Sequence, residues 1–291
     1  MVCGKVNVTV CIPTLEGSVH WNELWSSLGV QTLRPSEIIV LDSASRDGTA
    51  DLARGCGCRV ISIPRADFRH GGTRQQAAEL AIDADVIVYL TQDSILADAD
   101  ALARLVAAFN DSSVGAAYGR QLPRPGATAL EAHARLLNYP PVSTTRSLED
   151  ANTIGFKAIF FSNSFAAYRR CALEMIGGFP KQSNFGEDTV VAARLLQSGW
   201  RVAYVADALA HHSHAYSHVD EFKRYYQIGQ LHGSEPWLVR DFGKVSGEGR
   251  RFAASEIKYL LKHAPWIIPD AILRSALKYL AYRFGRFNSR G

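Results

Sequence analysis

Long apolar runs are missing from this chain of 291 residues, and no window approaches the roughly 18 consecutive apolar residues of a membrane span. The first residues alternate as in a strand and lack the apolar core of a signal peptide. Cysteines are few, five in all, and Cys56 with Cys58 has no second pair that would complete a zinc site. We therefore expect a globular, cytoplasmic protein with reduced thiols.

A Gly-rich, basic phosphate loop is also missing after the first predicted strand, where the sequence reads C-I-P-T-L-E-G-S. Enzymes that synthesise sugar nucleotides would need such a loop there, which argues against that class. The net charge of +4 is unevenly placed, since residues 240–291 contain 11 Lys and Arg against 4 Asp and Glu. This basic region predicts contact with an anionic surface. Its few interleaved aromatic residues argue against nucleic acid as the partner.

Apolar strands alternate with helical patterns through the first 118 residues, which predicts an α/β fold with a parallel sheet between helices. The stretch V-I-V-Y-L-T-Q-D-S, from Val86 to Ser94, contains the strand that we expect to be buried on both faces. Asp93 follows its carboxyl end, the edge where open α/β sheets bind ligands. From position alone, capping of the next helix is an equally good role for Asp93.

Beyond Gly119 the alternation breaks down, and residues 120–160 are rich in proline and polar residues. We expect this segment to be partly ordered over the sheet. A further strand over Ser162 to Tyr168 and a helix over Asp188 to Gln197 follow it. We predict one α/β domain, with the ligand-binding and catalytic residues, over residues 1–232 and a basic helical extension over residues 233–291.

Six segments lie in order along the chain, each at the loop end of a predicted element. They are V-L-D-S-A-S-R-D-G-T (40–49), F-R-H-G-G-T-R (68–74), Y-L-T-Q-D (89–93), Y-G-R-Q-L-P-R (118–124), F-G-E-D (185–188) and H-S-H-A-Y-S (212–217). Together they resemble inverting glycosyltransferases of family 2, and within that family bacterial rhamnosyltransferases that use dTDP-L-rhamnose. The resemblance covers positions 6–232 and implies the GT-A fold, which is Rossmann-like with a mostly parallel central sheet.

A divalent cation is implied by the resemblance, because the leaving diphosphate develops negative charge. Asp93 matches the last carboxylate of the family's DxD motif, although Thr91 stands where the first acid would be. His212 and His214 are expected to complete the site, since alternate residues of an extended segment point the same way. Imidazole with carboxylate and phosphate oxygens favours Mg²⁺ or Mn²⁺. Surface or hydrogen-bonded histidines are the alternative interpretation.

A general base is required to take the proton of the acceptor hydroxyl. Asp188 matches the family's base in its E-D motif, with Glu187 beside it at a predicted helix start. Both acids would also suit a helix N-terminus without catalysis, an effect under ~1 kcal/mol at an exposed site. The choice of Asp188 therefore comes from the resemblance.

The nucleotide site is likewise implied by the resemblance. Asp42 matches the residue that accepts the N3 proton of the pyrimidine base, and Arg74 matches an arginine near that base. Pro13 and Thr14 match the loop beside the nucleotide, and Arg120 lies where relatives shape the sugar pocket. Gln92 replaces an acid that often faces the ribose. Because deoxyribose has one hydroxyl fewer, this replacement favours dTDP over UDP as the nucleotide.

A stripe of apolar residues at helical spacing marks the end of the chain, formed by Leu273, Leu277, Leu280, Phe284 and Phe287. With neighbouring basic residues, it suits either an anionic bilayer or packing on the catalytic domain or another subunit. Lipid-linked acceptors in related enzymes favour the membrane surface, so we expect a peripheral protein at the cytoplasmic face of the inner membrane. Packing of the stripe on another subunit would give a homo-oligomer.

The expected function is transfer of L-rhamnose from its dTDP conjugate to a bacterial surface glycan, such as an O-antigen or capsule, in soluble or lipid-linked form. A transferase that uses a UDP-hexose is the alternative within enzymes. A non-catalytic glycan-binding subunit at the membrane surface is the alternative outside them.

Overall fold

In the part of the chain that the structure describes, a mixed sheet of nine strands forms the centre of the fold. The computed structural model describes residues 6–243 and 247–289. The strands are Val8–Thr14 (β1), Glu37–Asp42 (β2), Arg59–Ser62 (β3), Val86–Leu90 (β4), Ile95–Leu96 (β5), Val114–Leu122 (β6), Thr144–Arg146 (β7), Phe165–Arg169 (β8) and Arg201–His211 (β9). Their order in the sheet is β3-β2-β1-β4-β8-β6-β9-β5, and β7 pairs with β9.

Twelve α-helices accompany these strands within the described residues. They are Ser18–Gly29 (α1), Thr49–Gly55 (α2), His70–Leu80 (α3), Ala101–Ala107 (α4), Ala129–Asn138 (α5), Ala151–Ile154 (α6), Arg170–Met175 (α7), Glu187–Gln197 (α8), His218–Ser234 (α9), Pro236–Phe242 (α10), Glu248–His263 (α11) and Ile268–Asn288 (α12). The α/β class and the predicted helices of the C-terminal region are confirmed.

Strand direction changes at the centre of the sheet. The pairs β1 with β2, β1 with β4 and β2 with β3 are parallel, as the alternation of strands and helices predicts. Strand β8 then pairs antiparallel with both β4 and β6, and β9 pairs antiparallel with β5. The sheet is therefore parallel through β4 and antiparallel at β8 and at the β5–β9 pair.

Strand β4 is buried along its whole length, which confirms the interpretation of the stretch from Val86. Its last residue, Leu90, pairs with Phe165 at the start of β8, and the Thr91 amide donates to the Ser164 carbonyl at 3.2 Å. Because the two strands are antiparallel, the carboxyl end of β4 lies beside the segment that precedes β8. His211, the last residue of β9, pairs with Ile95 at the same edge.

The segment 120–160 is more regular than expected. It contains α5, β7 and α6, and α5 begins with a capping box in which Thr128 and Glu131 bond to each other's backbone amides. Such a reciprocal cap satisfies two amides that would otherwise be unpaired, which stabilises the helix start despite the flanking prolines. The expectation of a partly ordered segment is therefore wrong.

Two compact units are distinguished within the chain. One comprises residues 1–121, 140–148 and 160–212, and the other comprises residues 122–139, 149–159 and 213–291. The first contains the central sheet, and the second contains α5, α6 and the helices from α9 onwards. Helix α9 continues through the predicted boundary between residues 232 and 233, so the division of the chain into those two domains stays a prediction.

Helices α9 and α12 pack side by side in the second unit with their backbones in contact. A Cβ atom on Gly229 would collide with the Tyr282 carbonyl, and one on Gly285 would collide with the Tyr226 carbonyl. The charged residues of the same face form ion pairs, with Arg274 and Lys278 of α12 at 2.9 and 2.8 Å from Glu221 of α9. The small residues therefore set the distance at which these pairs form.

The apolar stripe of α12 lies on a different face, most of which is exposed. Leu273, Leu280, Phe284 and Phe287 are 47–78% exposed, whereas Leu277 is half-buried. Arg274 and Lys278 thus turn inward while most of the apolar stripe turns outward. Within the described residues, no helix is long and apolar enough to cross a membrane.

Replacement of Gly285 by alanine tests the close contact of α9 and α12. We expect Gly285→Ala to lower the free energy of unfolding by about 1–3 kcal/mol, because the new methyl group overpacks the helix interface. Gly249→Ala in α11 is the matched control, since a Cβ there meets open space. That change should raise stability by up to about 1 kcal/mol through helix propensity. Equal effects of the two changes in thermal unfolding would contradict the packing.

Candidate active site

The carboxylate of Asp42 is fixed at the end of β2 by neighbouring hydroxyls. Thr14, its register partner on β1, donates from Oγ1 to Asp42 Oδ1 at 2.9 Å. Ser45 donates from its backbone amide and its hydroxyl to the two carboxylate oxygens, at 2.9 and 2.6 Å. Asp42 is only 2% exposed. The structure thus brings together Asp42 and Thr14, and Pro13 precedes Thr14 on β1.

The amide of Gln92 holds the loop that follows β1. Its Oε1 accepts from the Leu15 amide at 2.8 Å, and its Nε2 donates to the Leu15 carbonyl at 3.0 Å. Both polar atoms of the Gln92 side chain are therefore bonded to the backbone of one residue. A role for Gln92 at the ribose stays a prediction, and its visible role is to shape this loop.

Asp93 and His212 face each other beyond the ends of β4 and β9. His212 Nε2 lies 3.5 Å from Asp93 Oδ1, and both side chains are largely buried. The other ring nitrogen, Nδ1, lies 3.0 Å from Oε1 of Gln121 on β6. A carboxylate and an imidazole in this arrangement are suitable ligands for a divalent cation. His214 follows His212 by two residues in the chain and falls in the second compact unit.

Arg74 forms a buried ion pair that the sequence does not reveal. Its Nη1 lies 3.1 Å from Oε1 of Glu187, and both side chains are 6% exposed. The same guanidinium nitrogen donates to the His70 carbonyl at 3.2 Å. Asn163 donates to Glu187 Oε1 at 3.0 Å. Arg74 thus contacts Glu187, while its predicted contact with the nucleotide base stays a prediction.

Asp188 lies at the start of α8, directly after Gly186 and Glu187. Gly186 has a φ of 73°, a left-handed conformation that glycine adopts without strain and that turns the chain into the helix. The Thr189 amide donates to Asp188 Oδ1 at 2.8 Å, and the Asn163 amide approaches Oδ2 at 3.4 Å. Glu187 and Asp188 therefore have specific hydrogen-bond partners, unlike acids that only complement the dipole of an exposed helix end.

Opposite pKa shifts distinguish the two acids. Burial and the neighbouring Glu187 carboxylate raise the pKa of Asp188 to about 7. Burial is the largest influence on Glu187 and raises its pKa, but the Arg74 guanidinium, His70 and the Asn163 hydrogen bond together outweigh it and hold the pKa of Glu187 below its usual range. Glu187 is thus the permanent anion of the pair, and Asp188 titrates near neutral pH. A carboxylate that titrates there is suited to general acid–base catalysis.

The segment Ser162-Asn163-Ser164 connects the Asp93–His212 pair with the Glu187–Asp188 pair. Gln121, which contacts His212, donates from Nε2 to the Ser162 hydroxyl at 2.8 Å. Asn163, the next residue, contacts both Glu187 and Asp188. Adjacent Cα atoms are about 3.8 Å apart, so this short segment places both pairs at one edge of the sheet. Arg120 lies beside Gln121 on β6.

Several residues of this site were not assigned a role from the sequence. The sequence assigns no role to Asn163, to Gln121 or to Tyr168, which donates to Asn163 Oδ1 at 2.6 Å. Tyr168 reads as an ordinary strand residue, and its polar contact depends on the position of a segment that precedes its own strand. No local pattern distinguishes it from a core tyrosine.

Comparison with known proteins agrees with this geometry. Residues 9–177 match glycosyl transferase family 2. This chain belongs to that family. It is 44% identical to the O-antigen chain rhamnosyltransferase RfbN of Salmonella typhimurium over 282 residues, which cover 97% of this chain and 90% of RfbN. It is also 43% identical to the O-antigen chain rhamnosyltransferase WbaN of Salmonella anatum over 279 residues, covering 96% of this chain and 89% of WbaN.

Among solved structures, the fold is similar to that of the mannosyltransferase PcManGT from Pyrobaculum calidifontis in complex with GDP-Man and Mn²⁺. The TM-score is 0.60 and the identity 23%, with 96% of this chain and 76% of PcManGT covered. The predicted family and the GT-A type of fold are thereby confirmed. The protein is a glycosyltransferase.

The Glu187→Gln variant tests the coupling between the two acids. Removal of the neighbouring negative charge should lower the pKa of Asp188, and the unpaired Arg74 acts in the same direction. A base must be deprotonated, so kcat/KM of the native enzyme should fall as pH drops below about 7. We expect this acid limb to move to lower pH by ~1 unit in the variant. The pH profile of sugar transfer measures it.

Glu174→Gln, at a solvent-exposed ion pair with Arg170, is the matched control and should leave the acid limb in place. An identical acid limb in the Glu187→Gln variant and the native enzyme would show that Asp188 does not sense Glu187.

Proposed function

We propose that this glycosyltransferase moves L-rhamnose from dTDP-L-rhamnose to a growing O-antigen chain, with inversion at the anomeric carbon. The observation that carries the proposal is the 44% identity to the O-antigen chain rhamnosyltransferase RfbN along nearly the whole of both chains. The dTDP moiety is the finer part of the proposal. It is supported by Gln92, which occupies the position of a ribose-facing acid and is bonded to Leu15 instead.

The nucleotide would bind at the ends of β1 and β2. The Asp42 carboxylate is buried, oriented by Thr14 and Ser45, and would accept the N3 proton of thymine. Pro13 would line the same loop, and Arg74 and Arg120 would lie toward the base and the sugar. A carboxylate has about four acceptor positions, so Asp42 can accept the thymine N3 proton in addition to its three bonds from Thr14 and Ser45.

Asp93, His212 and His214 are the proposed ligands of Mg²⁺ or Mn²⁺. The fit is supported by the donor set, because Asp93 and His212 supply a carboxylate oxygen and an imidazole nitrogen at 3.5 Å. A bound cation would neutralise charge on the leaving diphosphate. The chain's own contribution is to hold these ligands beside the sheet edge where the diphosphate would leave.

Asp188 is the proposed general base. Its carboxylate would take the proton of the acceptor hydroxyl as that oxygen forms a bond to the anomeric carbon. The bond from the anomeric carbon to the diphosphate oxygen breaks on the opposite face, and dTDP leaves with the electron pair. Glu187 would remain ionised beside Arg74 and keep Asp188 basic enough to act near neutral pH.

Sugar transfer with purified protein tests the proposal. Rhamnose should pass from dTDP-L-rhamnose plus Mn²⁺ or Mg²⁺ to an O-antigen acceptor, free or lipid-linked, while UDP-hexoses should give little product. Asp188→Asn should lower kcat about 10²- to 10⁴-fold, since a general base contributes that much. Asp51→Asn, an exposed acid on α2, is the matched control and should retain full activity.

Three results would contradict this account. Efficient transfer from a UDP-hexose in place of dTDP-rhamnose would show that the donor is a UDP-hexose. Undiminished turnover by folded Asp188→Asn would remove Asp188 as the base. Glycan binding without turnover of any donor would identify a non-catalytic binding subunit.

The outward face of α12 is the proposed contact with the cytoplasmic surface of the inner membrane. Leu280, Phe284 and Phe287 expose apolar area on one face, and Trp266 just before the helix is 76% exposed. Exposed apolar residues in a strongly basic region are typical of helices that lie in the interface of an anionic bilayer. This placement would bring the enzyme to a lipid-linked acceptor.

Vesicle sedimentation tests the membrane contact. The native protein should bind phosphatidylglycerol vesicles more tightly than phosphatidylcholine vesicles, and added salt should weaken the binding. Replacement of Leu280, Phe284 and Phe287 by serine should reduce the bound fraction at least tenfold. The matched control replaces Val19, Ile82 and Val142, exposed apolar residues outside α12, by serine. Equal binding by both variants, or loss of a native dimer in the α12 variant, would contradict the membrane role.

A further inference from the structure

We propose that Gln121 is a positioning residue, which fixes the ring orientation and the protonated nitrogen of His212 so that Nε2 can ligate a divalent cation. The inference rests on the proposed metal role of Asp93 and His212. It concerns a residue of β6 for which the sequence indicated no role.

The side chain of Gln121 is held at both ends. It is 2% exposed, its Nε2 donates to the Ser162 hydroxyl at 2.8 Å, and its Oε1 lies 3.0 Å from His212 Nδ1. The Ser162 hydroxyl donates to Ser164 Oγ at 3.3 Å, so it accepts from the amide nitrogen of Gln121 and the amide oxygen faces His212. A buried amide with two partners is therefore a rigid support for the ring.

The amide oxygen determines which nitrogen of His212 carries the proton. A carbonyl-type oxygen can only accept, so Nδ1 must donate and the neutral ring must leave a lone pair on Nε2. That lone pair faces Asp93 Oδ1 across 3.5 Å. Two electron-rich atoms at this distance repel each other unless a positive charge lies between them.

A cation relieves this repulsion and uses both atoms as ligands. Histidines that bind metals commonly donate their other N–H to an oxygen, which fixes the ring and makes the ligating nitrogen more basic. In this protein Gln121 supplies that oxygen from the neighbouring strand. The opposite tautomer would turn an N–H toward Asp93 and remove the ligand.

The tautomer is measured directly in the native protein without metal. Nitrogen-15 NMR of the His212 ring at pH 8, assigned by its disappearance in His212→Asn, should show a protonated Nδ1 and an unprotonated Nε2. A ring protonated at Nε2 would overturn the role of Gln121, whatever the outcome for the metal. This measurement needs no substitution at Gln121.

Metal affinity gives the second readout. Titration of the protein with Mn²⁺, followed by electron paramagnetic resonance, should show about 10- to 100-fold weaker binding by Gln121→Met, which keeps the length but lacks the acceptor. Gln121→Glu keeps an acceptor oxygen and should restore binding to near the native value. Gln31→Leu, at a buried glutamine bonded to Ser27 and Asp98, is the matched control and should bind as the native protein does.

The outcomes separate the two proposals. Native-like Mn²⁺ affinity of folded Gln121→Met would overturn the positioning role. Failure of the native protein to bind Mn²⁺ would overturn the metal assignment itself, while a protonated Nδ1 would still show that Gln121 sets the tautomer.

Discussion

The antiparallel pairing of β4 with β8 is the constraint on which the site depends. It places residues 162–164, which precede β8, beside Thr91, which follows β4. From this position Ser162 supports the Gln121 amide, and Asn163 contacts both acids at the start of α8. With β8 in the parallel direction these residues would lie at the far end of the strand. The Asp93–His212 pair and the Glu187–Asp188 pair therefore meet because β8 is antiparallel to β4.

Burial gives the carboxylates their separate chemical properties. Asp42 accepts hydrogen bonds from hydroxyls, Glu187 has a guanidinium partner, and Asp188 has neither in comparable strength. Burial and the neighbouring Glu187 carboxylate raise the pKa of Asp188, whereas the Arg74 guanidinium helps to hold the pKa of Glu187 low. The same arrangement explains why Arg74 is needed, since an unpaired Glu187 beside Asp188 would leave two like charges in one buried site.

Much of the fold was predictable because its signals are local. The apolar run at Val86 and the acids at strand and helix ends follow from short patterns, and six motifs identify the family. The reversed direction of β8 depends on pairing between distant strands, which no short pattern encodes. The partners of Arg74 and Gln121 depend on which side chains meet after folding. In α12, Arg274 and Lys278 turn inward because Glu221 lies opposite them.

In the proposed mechanism, one edge of the sheet holds both a cation and a pyrimidine nucleotide, with a titratable acid beside them. A crystal structure with dTDP and Mn²⁺ tests it most directly. Mn²⁺ should lie on Asp93 and His212, the thymine N3 on Asp42, and Asp188 should be open to the acceptor side of the diphosphate. Nucleotide bound at another edge, or Mn²⁺ without contact to Asp93, would contradict it.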